Sequence, residues 1–275
     1  MTDNQTEYLP APEFTVRQGV PYGILTEYSQ VSEIYPGVKH AYWVYVPAQY
    51  DPAVPANVMV FQDGWSYCDP SGELCAPKAF DNMIHNKELP VTIGIFVNPG
   101  EETQEWKDDT RDWYHKYPLS QRAREYDVMN CRYAGWLMEE ILPEVGKLYN
   151  LTDDPECRAI CGMSSGGICS WTVAWERPDA FRKVLSHVGS FADIMGGHNY
   201  PFIVRKSDPK PIRIFLQAGT NDIDNGWGSW ELANRQMASA LAFKGYDYKL
   251  VVGHGGHDLK HAASIFADSL RWLWR

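Results

Sequence analysis

The run Arg158-Ala159-Ile160-Cys161-Gly162-Met163-Ser164-Ser165-Gly166-Gly167-Ile168-Cys169 constrains the fold more than any other stretch of the chain. Apolar residues lead into a turn of the form Gly-x-Ser-x-Gly, and helical spacing follows through Trp171, Val173 and Ala174. The pattern predicts a short buried strand, a tight turn and the start of a helix. A serine at the centre of such a turn is forced into a strained backbone conformation, and the flanking glycines have no Cβ to collide with the strand and helix beside them. The hydroxyl of Ser164 is then pushed out of the sheet. Backbone amides at the helix start, above all that of Ser165, point at the same spot and favour negative charge there. Taken alone, the motif equally fits a glycine-rich turn with no chemistry, so its context decides.

That context is an alternation of apolar runs with helical patterns. Residues 38–47 alternate like a half-buried strand, and 23–35 make its antiparallel partner. Residues 57–65 are apolar until they break at Gln62-Asp63-Gly64, as a central strand entering a loop would. Further buried strands are expected at 91–100, 184–190, 212–219 and 248–252, with helices at 79–85, 133–148, 230–243 and 262–274. Such an order predicts an α/β fold with a mostly parallel central sheet and helices on both faces. Residues 1–20, with Pro10 and Pro12, read as an N-terminal arm, and 21–275 as a single catalytic domain without repeat or linker.

Composition excludes several function classes. The net charge is −10, and no run of Lys or Arg is present that would neutralise a phosphate backbone, so nucleic acid is not expected as a partner. No apolar run approaches the roughly 20 residues of a membrane helix, and the opening Met1-Thr2-Asp3-Asn4-Gln5 does not read as a signal peptide. The expected compartment is the cytoplasm. The 6 cysteines lack paired CxxC spacing. Cys161 and Cys169 read as small hydrophobes beside the turn, whereas Cys68 and Cys75 are spaced to close a loop disulfide or to remain free in a reducing compartment.

Two later loops complete a constellation. Asp222 follows the apolar run 212–219, and His257 follows 248–252, so serine, acid and histidine come in that chain order, each after a strand. Ser164 is a poor nucleophile until a base takes its proton; histidine is the side chain whose unperturbed pKa suits that task, so His257 can take it, while Asp222 would hold the other ring N–H. Asp224 competes with Asp222, which lies nearer the strand end. His254 and His261 compete with His257, and the three together raise a metal site, although the glycines among them point to a turn rather than a ligand-bearing helix. The loop after the strand at 57–62 is where a second oxyanion donor belongs, which makes the amides of Gly64 and Trp65 candidates beside Ser165. The alternative there is an ordinary Asp-Gly turn.

Candidate substrate contacts are spread over other loops. Residues 101–127 are charge-rich, with Arg111, Asp112, Arg122, Arg124 and Glu125, and they leave the sheet where ligands bind, though such a stretch is also the mark of a solvated face. His198 follows a strand end, while His187 reads as structural. Trp65, Trp227 and Trp230 sit in or beside loops near the expected site, either stacking on a ring of the substrate or packing the loops themselves.

At this point the chain resembles the esterase branch of the α/β hydrolases, most closely the enterochelin (ferric siderophore) esterases and their feruloyl and acetyl-xylan esterase relatives. The matching residues are Val60-Phe61-Gln62-Asp63-Gly64, Arg124-Glu125-Tyr126, Gly162-Met163-Ser164-Ser165-Gly166-Gly167, Leu185-Ser186-His187-Val188-Gly189-Ser190-Phe191, Gly219-Thr220-Asn221-Asp222 and Gly255-Gly256-His257-Asp258, within a likeness spanning residues 38–272. The resemblance implies an α/β-hydrolase fold, the triad roles for Ser164, Asp222 and His257, and hydrolysis of a carboxylic ester through an acyl-enzyme without cofactor or metal. The chain departs from the siderophore enzymes in lacking an extra N-terminal domain and a cluster of arginines. A small-molecule or carbohydrate-linked ester is the expected partner, with homo-oligomerisation left open. Feruloyl or acetyl-xylan ester hydrolysis is the alternative activity, a lactonase or acyltransferase would use the same residues, and a non-catalytic binding protein would be a third reading.

Overall fold

The computed structural model describes residues 8–102 and 121–275. Its strands are β1 (Ile24–Val31), β2 (Val38–Val46), β3 (Asn57–Gln62), β4 (Thr92–Val97), β5 (Glu101–Glu102), β6 (Arg158–Met163), β7 (Lys183–His187), β8 (Arg213–Gly219), β9 (Asp224–Asn225), β10 (Gly228–Ser229) and β11 (Asp247–Gly253). The main sheet runs β1-β2-β4-β3-β6-β7-β8-β11, with β5 added to β2, while β9 and β10 form a separate hairpin. Pairing is antiparallel for β1–β2 and β2–β4 and parallel from β4 through β11. The chain thus has the α/β-hydrolase type of sheet, mostly parallel with an antiparallel edge.

The apolar runs explain why the sheet lies between two layers. Successive side chains of a strand point to opposite faces, so a strand buried on both sides reads as unbroken hydrophobe. Val58 and Val60 join Ile93, Ile95 and Ile160 on one face, where the helices Ser165–Glu176 and Trp230–Phe243 bring Trp171 and Leu241. Met59 and Phe61 join Phe96 and Cys161 on the other, under Phe80 of the helix Ala76–His85 and Phe266 of the helix Lys260–Leu273. Each fully buried residue of this size contributes roughly 1.5–3 kcal/mol. At the open edge, β1 alternates between exposed and half-buried residues, as an edge strand does.

Several expected elements differ in detail. The helix expected over 133–148 is Arg132–Trp136, a π turn Leu137–Ile141, and Leu142–Gly146. Pro143 has no N–H to offer the carbonyl four residues back, and the widened turn directly precedes it. In that turn Glu140 accepts hydrogen bonds from the backbone of Glu33 (3.1 Å) and Ile34 (2.7 Å), closing the β1–β2 turn. The strand expected to reach Ser190 stops at His187, and the helix Tyr200–Lys206 was not foreseen. Within 101–127, residues 101–102 form β5 and Arg122–Tyr126 is a short helix; Arg111 and Asp112 lie outside the described residues. Residues 8–20 lie along the helices Ala76–His85 and Lys260–Leu273, with Ala11 N donating to Ala263 O (3.2 Å) and Phe14 stacked on Phe266 at 5.8 Å. Cys68 and Cys75 are buried free thiols rather than a disulfide.

Three neighbouring parallel strands end alike. Asp63 after β3 (φ 53°), Ser164 after β6 (φ 56°) and Val188 after β7 (φ 41°) all occupy the left-handed region without being glycine. Such residues cost on the order of 1–3 kcal/mol each and persist where the surroundings hold them. All three lie along one rim of the sheet.

Candidate active site

Ser164 stands at φ 56°, ψ −123° between β6 and the helix Ser165–Glu176. Its backbone is clamped by Ser164 N to His187 O (2.9 Å) and by Ser190 N to Ser164 O (3.0 Å). The glycines admit this turn because nothing larger fits: a Cβ on Gly162 would lie 2.4 Å from Gly166 O, and one on Gly167 would lie 2.6 Å from Ser186 Oγ. The local sequence therefore dictates a serine held out of the sheet at the start of a helix.

Ser164 Oγ lies 2.8 Å from His257 Nε2, and His257 Nδ1 lies 2.6 Å from Asp222 Oδ1. The two partner loops are brought together by β8 and β11, which pair in parallel with Gly219 opposite Gly253. Beyond the strands, Thr220 N donates to Gly253 O (2.9 Å) and Asn221 Nδ2 to His254 O (2.7 Å), lacing acid loop to histidine loop. Gly219 is required where they touch, since its Cβ would sit 2.1 Å from Gly255 O. The Asp222 side chain is fully buried and Oδ1 also accepts from Ile223 N (2.7 Å), whereas the His257 side chain keeps 21% of its surface exposed. A buried, fixed carboxylate behind a partly open imidazole is the arrangement in which the ring can take a proton from the serine and return it.

The competing residues go elsewhere. Asp224 is exposed on β9. His254 Nδ1 meets Thr220 Oγ1 (3.2 Å), and His261 Nδ1 meets Gln217 Nε2 (3.0 Å) while its ring stacks on Tyr8 at 4.4 Å. His187 is buried beneath the turn, with Nδ1 2.9 Å from Tyr67 Oη, and burial pushes its pKa down to about 3.

The oxyanion candidates need correction on the β3 side. Gly64 N donates to Val97 O at 2.9 Å, which continues the β3–β4 pairing, so that amide is already used. Trp65 N donates to Asn98 Oδ1 at 3.1 Å and can face an oxyanion only by exchanging that partner. Neither bond is legible locally, because Val97 and Asn98 arrive on a different strand. Ser165 opens its helix, where a backbone N–H has no intrahelical acceptor. Behind it Asp127 is buried, and burial raises its pKa to about 6 against the opposing pull of the Ser165 hydroxyl and of Arg122.

Ser164 and His257 open into a cleft of about 500 Å³ shared with Trp65, Arg122, Asp63 and Met163. Of the expected substrate contacts, Trp65 lines it. The others do not. Arg124 points outward from the helix Arg122–Tyr126. Glu125 is buried in a structural pair with His40 Nε2 (3.0 Å) and accepts from Gly100 N (3.1 Å). His198 pairs with Asp193 at 2.9 Å on the surface, and Trp227 is 58% exposed beside the β9–β10 hairpin. Trp230 is 3% exposed and faces inward, its ring perpendicular to His257 at 5.9 Å, so it braces the imidazole and offers no platform for a ligand. Sequence reasoning named Arg122 and Ser190 without giving either a role at the site: Arg122 binds Asp63 twice (2.8 and 2.7 Å), and Ser190 Oγ lies 3.1 Å from Ser164 Oγ. Arg122 and Arg124 stand two residues apart on one short helix and so face different sides, and only the packed helix tells which faces the cleft.

An elbow serine after β6, a carboxylate after β8 and an imidazole after β11, on a mostly parallel sheet, are the arrangement of the α/β-hydrolase class. Residues 36–273 match the Esterase family, described as "Putative esterase", and the chain belongs to that family. It is 30% identical over 253 residues to the iron(III) enterobactin esterase of Dickeya dadantii (strain 3937), covering 84% of this chain and 51% of that protein. To the uncharacterized protein YbbA of Bacillus subtilis (strain 168) it is 24% identical over 247 residues, covering 84% of this chain and 91% of the other. Among solved structures, a ferulic acid esterase of Anaeromyces mucronatus superposes with a TM-score of 0.73 at 17% identity, covering 97% and 96% of the two chains. The enterobactin esterase of Shigella flexneri superposes with a TM-score of 0.71 at 20% identity, covering 92% of this chain and 59% of that one. The chain thus spans about half the length of the Dickeya relative, and at these identities the structural likeness carries the fold. No described helix is long and apolar enough to cross a membrane.

Proposed function

We propose that the chain is a serine carboxylic-ester hydrolase in which Ser164 is the nucleophile, His257 the general base and acid, and Asp222 the group that orients and stabilises the imidazolium. The observation that carries this reading is the continuous contact from Ser164 Oγ to His257 Nε2 (2.8 Å) and from His257 Nδ1 to Asp222 Oδ1 (2.6 Å). As Oγ bonds to the ester carbonyl carbon, its proton passes to Nε2 and the carbonyl π pair moves onto oxygen, which the Ser165 amide meets. His257 returns the proton to the departing alcohol, and water repeats the sequence to free the acid. Turnover of p-nitrophenyl acetate by the wild-type chain, lost in Ser164→Ala, is the expected result; equal rates in both end the reading.

The charge of the cleft favours a neutral substrate. Asp63, Asp69, Glu73 and Asp258 line it with Arg122, and Arg122 is matched to Asp63. Of the remaining carboxylates, Glu73 has Lys260 Nζ at 3.9 Å, and no ion pair is seen for Asp69 or Asp258 among the described residues. Charges within about 10 Å still repel through 0.1 M salt. A feruloyl or acetyl ester carried on a carbohydrate suits this cleft better than an anionic iron–catecholate. Methyl ferulate and acetylated xylan are expected to be cleaved faster than a ferric catecholate ester at equal concentration, and the reverse order returns the siderophore substrate to first place.

A further inference from the structure

Ser190 Oγ lies 3.1 Å from Ser164 Oγ and 3.0 Å from Trp230 Nε1, and both Ser190 (1% exposed) and Trp230 (3% exposed) are sealed from water. The direction of every proton in this row follows from the chemistry of its ends. An indole N–H only donates, so Ser190 Oγ accepts from Trp230. At the other end, Asp222 Oδ1 is an acceptor for Ile223 N and for His257 Nδ1, which leaves Nε2 of the neutral ring as the acceptor for the Ser164 proton. One proton remains for the contact between the two serines, and it is that of Ser190.

Resting on the serine-hydrolase reading, we propose that Ser190 is a further catalytic residue, donating its hydroxyl proton to Ser164 Oγ in a one-directional chain from Trp230 through Ser190, Ser164 and His257 to Asp222. Ser164 Oγ has two lone pairs. One accepts from Ser190, which fixes the hydroxyl with its proton toward His257, and the other is free to attack. Negative charge gathers on Oγ twice: during attack, when its proton leaves for Nε2, and during deacylation, when the Oγ–carbonyl bond breaks and Oγ recovers the proton from the imidazolium. A donor already aimed at that oxygen stabilises both transition states without reorganising. Trp230 has two tasks, setting the Ser190 rotor through Nε1–H and standing edge-to-face against His257 at 5.9 Å and 85°.

The test compares Ser190→Ala and Trp230→Phe with the double variant Ser190→Ala/Trp230→Phe. The single variant is expected to lower kcat/KM for p-nitrophenyl acetate about tenfold, the loss of one directed hydrogen bond, with KM unchanged. Labelling of Ser164 by a fluorophosphonate slows in proportion. With Trp230→Phe as the reference for the lost ring contact to His257, a Ser190 that merely satisfied the buried indole N–H would leave the double variant as fast as Trp230→Phe alone; if Ser190 serves Ser164, the double variant is clearly slower than Trp230→Phe. A double variant equal to Trp230→Phe, or a single Ser190→Ala variant as fast as wild type, overturns the proposal. Should Ser190→Ala unfold, Ser190→Cys keeps the volume with a weaker donor, and its running at the wild-type rate overturns the proposal equally. A wild-type chain inert to both ester and fluorophosphonate sinks the hydrolase reading, and this inference with it, whereas an active wild type with an unaffected Ser190→Ala sinks this inference alone.

Discussion

Arg122 grips Asp63 through two parallel hydrogen bonds, Nε to Oδ1 at 2.8 Å and Nη2 to Oδ2 at 2.7 Å, at the point where β3 runs out beside the Ser164 turn. The pair is largely buried, and Arg122 Nη2 also reaches Met163 O at 3.4 Å, one residue before Ser164. Arg122→Ala leaves the Asp63 carboxylate in the same place without this guanidinium. Breaking one side of such a pair costs about 3 kcal/mol, and removing both sides costs less than the sum. Urea denaturation of Arg122→Ala, Asp63→Asn and the double variant checks this, and strictly additive losses would show that the pair does not act as a unit.

The choice between the two acids of the loop after β8 is open to a direct comparison. Asp222→Asn keeps the shape but can no longer hold His257 with Nδ1 protonated, and kcat is expected to fall about 10³–10⁴-fold. Asp224 stands exposed on the hairpin, so Asp224→Asn is expected within twofold of wild type. Ester hydrolysis rates of the two variants decide it, and an equal loss in both would remove Asp222 from its assigned role.

Asp127 has its pKa raised to about 6 by burial, partly offset by the Ser165 hydroxyl and by Arg122. Unfolded, the group releases its proton near 3.9, so between about pH 4 and 6 the folded chain binds the extra proton. Stability falls with rising pH wherever the native state holds more protons. The favourable contribution is therefore complete below about pH 4 and lost as pH climbs through 6. Asp127→Asn, which keeps the shape of the side chain, is expected to exceed wild type by about 2 kcal/mol at pH 7.5 and to match it at pH 4. Urea midpoints at the two pH values test the sign, and a gap independent of pH contradicts it.

The carboxylates lining the cleft make selectivity a matter of substrate charge. In Asp69→Asn/Glu73→Gln the hydrolysis of a neutral p-nitrophenyl ester is expected to change less than twofold, while that of the succinyl half-ester, which carries a carboxylate, rises several-fold. The difference should shrink in 1 M salt, where screening reaches about 3 Å. Kinetics at low and high ionic strength provide the measurement, and an anionic ester indifferent to both changes refutes electrostatic exclusion.

Local chemistry determined most of the architecture. The Gly-x-Ser-x-Gly turn, the unbroken apolar runs of β3, β4, β6 and β8, and the order of Ser164, Asp222 and His257 could be read along the chain, because steric strain at a turn and the two-residue period of a strand operate between near neighbours. Which side chains then meet was settled by long-range pairing. Gly64 N lost its expected role to Val97 O on the adjoining strand, Arg122 turned inward where Arg124 did not, and Glu125 sank against His40, 85 positions away. Trp230, which the chain alone left open between a surface for a ligand and a packing residue, is buried against His257 and Ser190. Hydrogen-bond donors and charges in a dry interior must find partners, and the partner is chosen by the register of strands far apart in sequence, which no local pattern records.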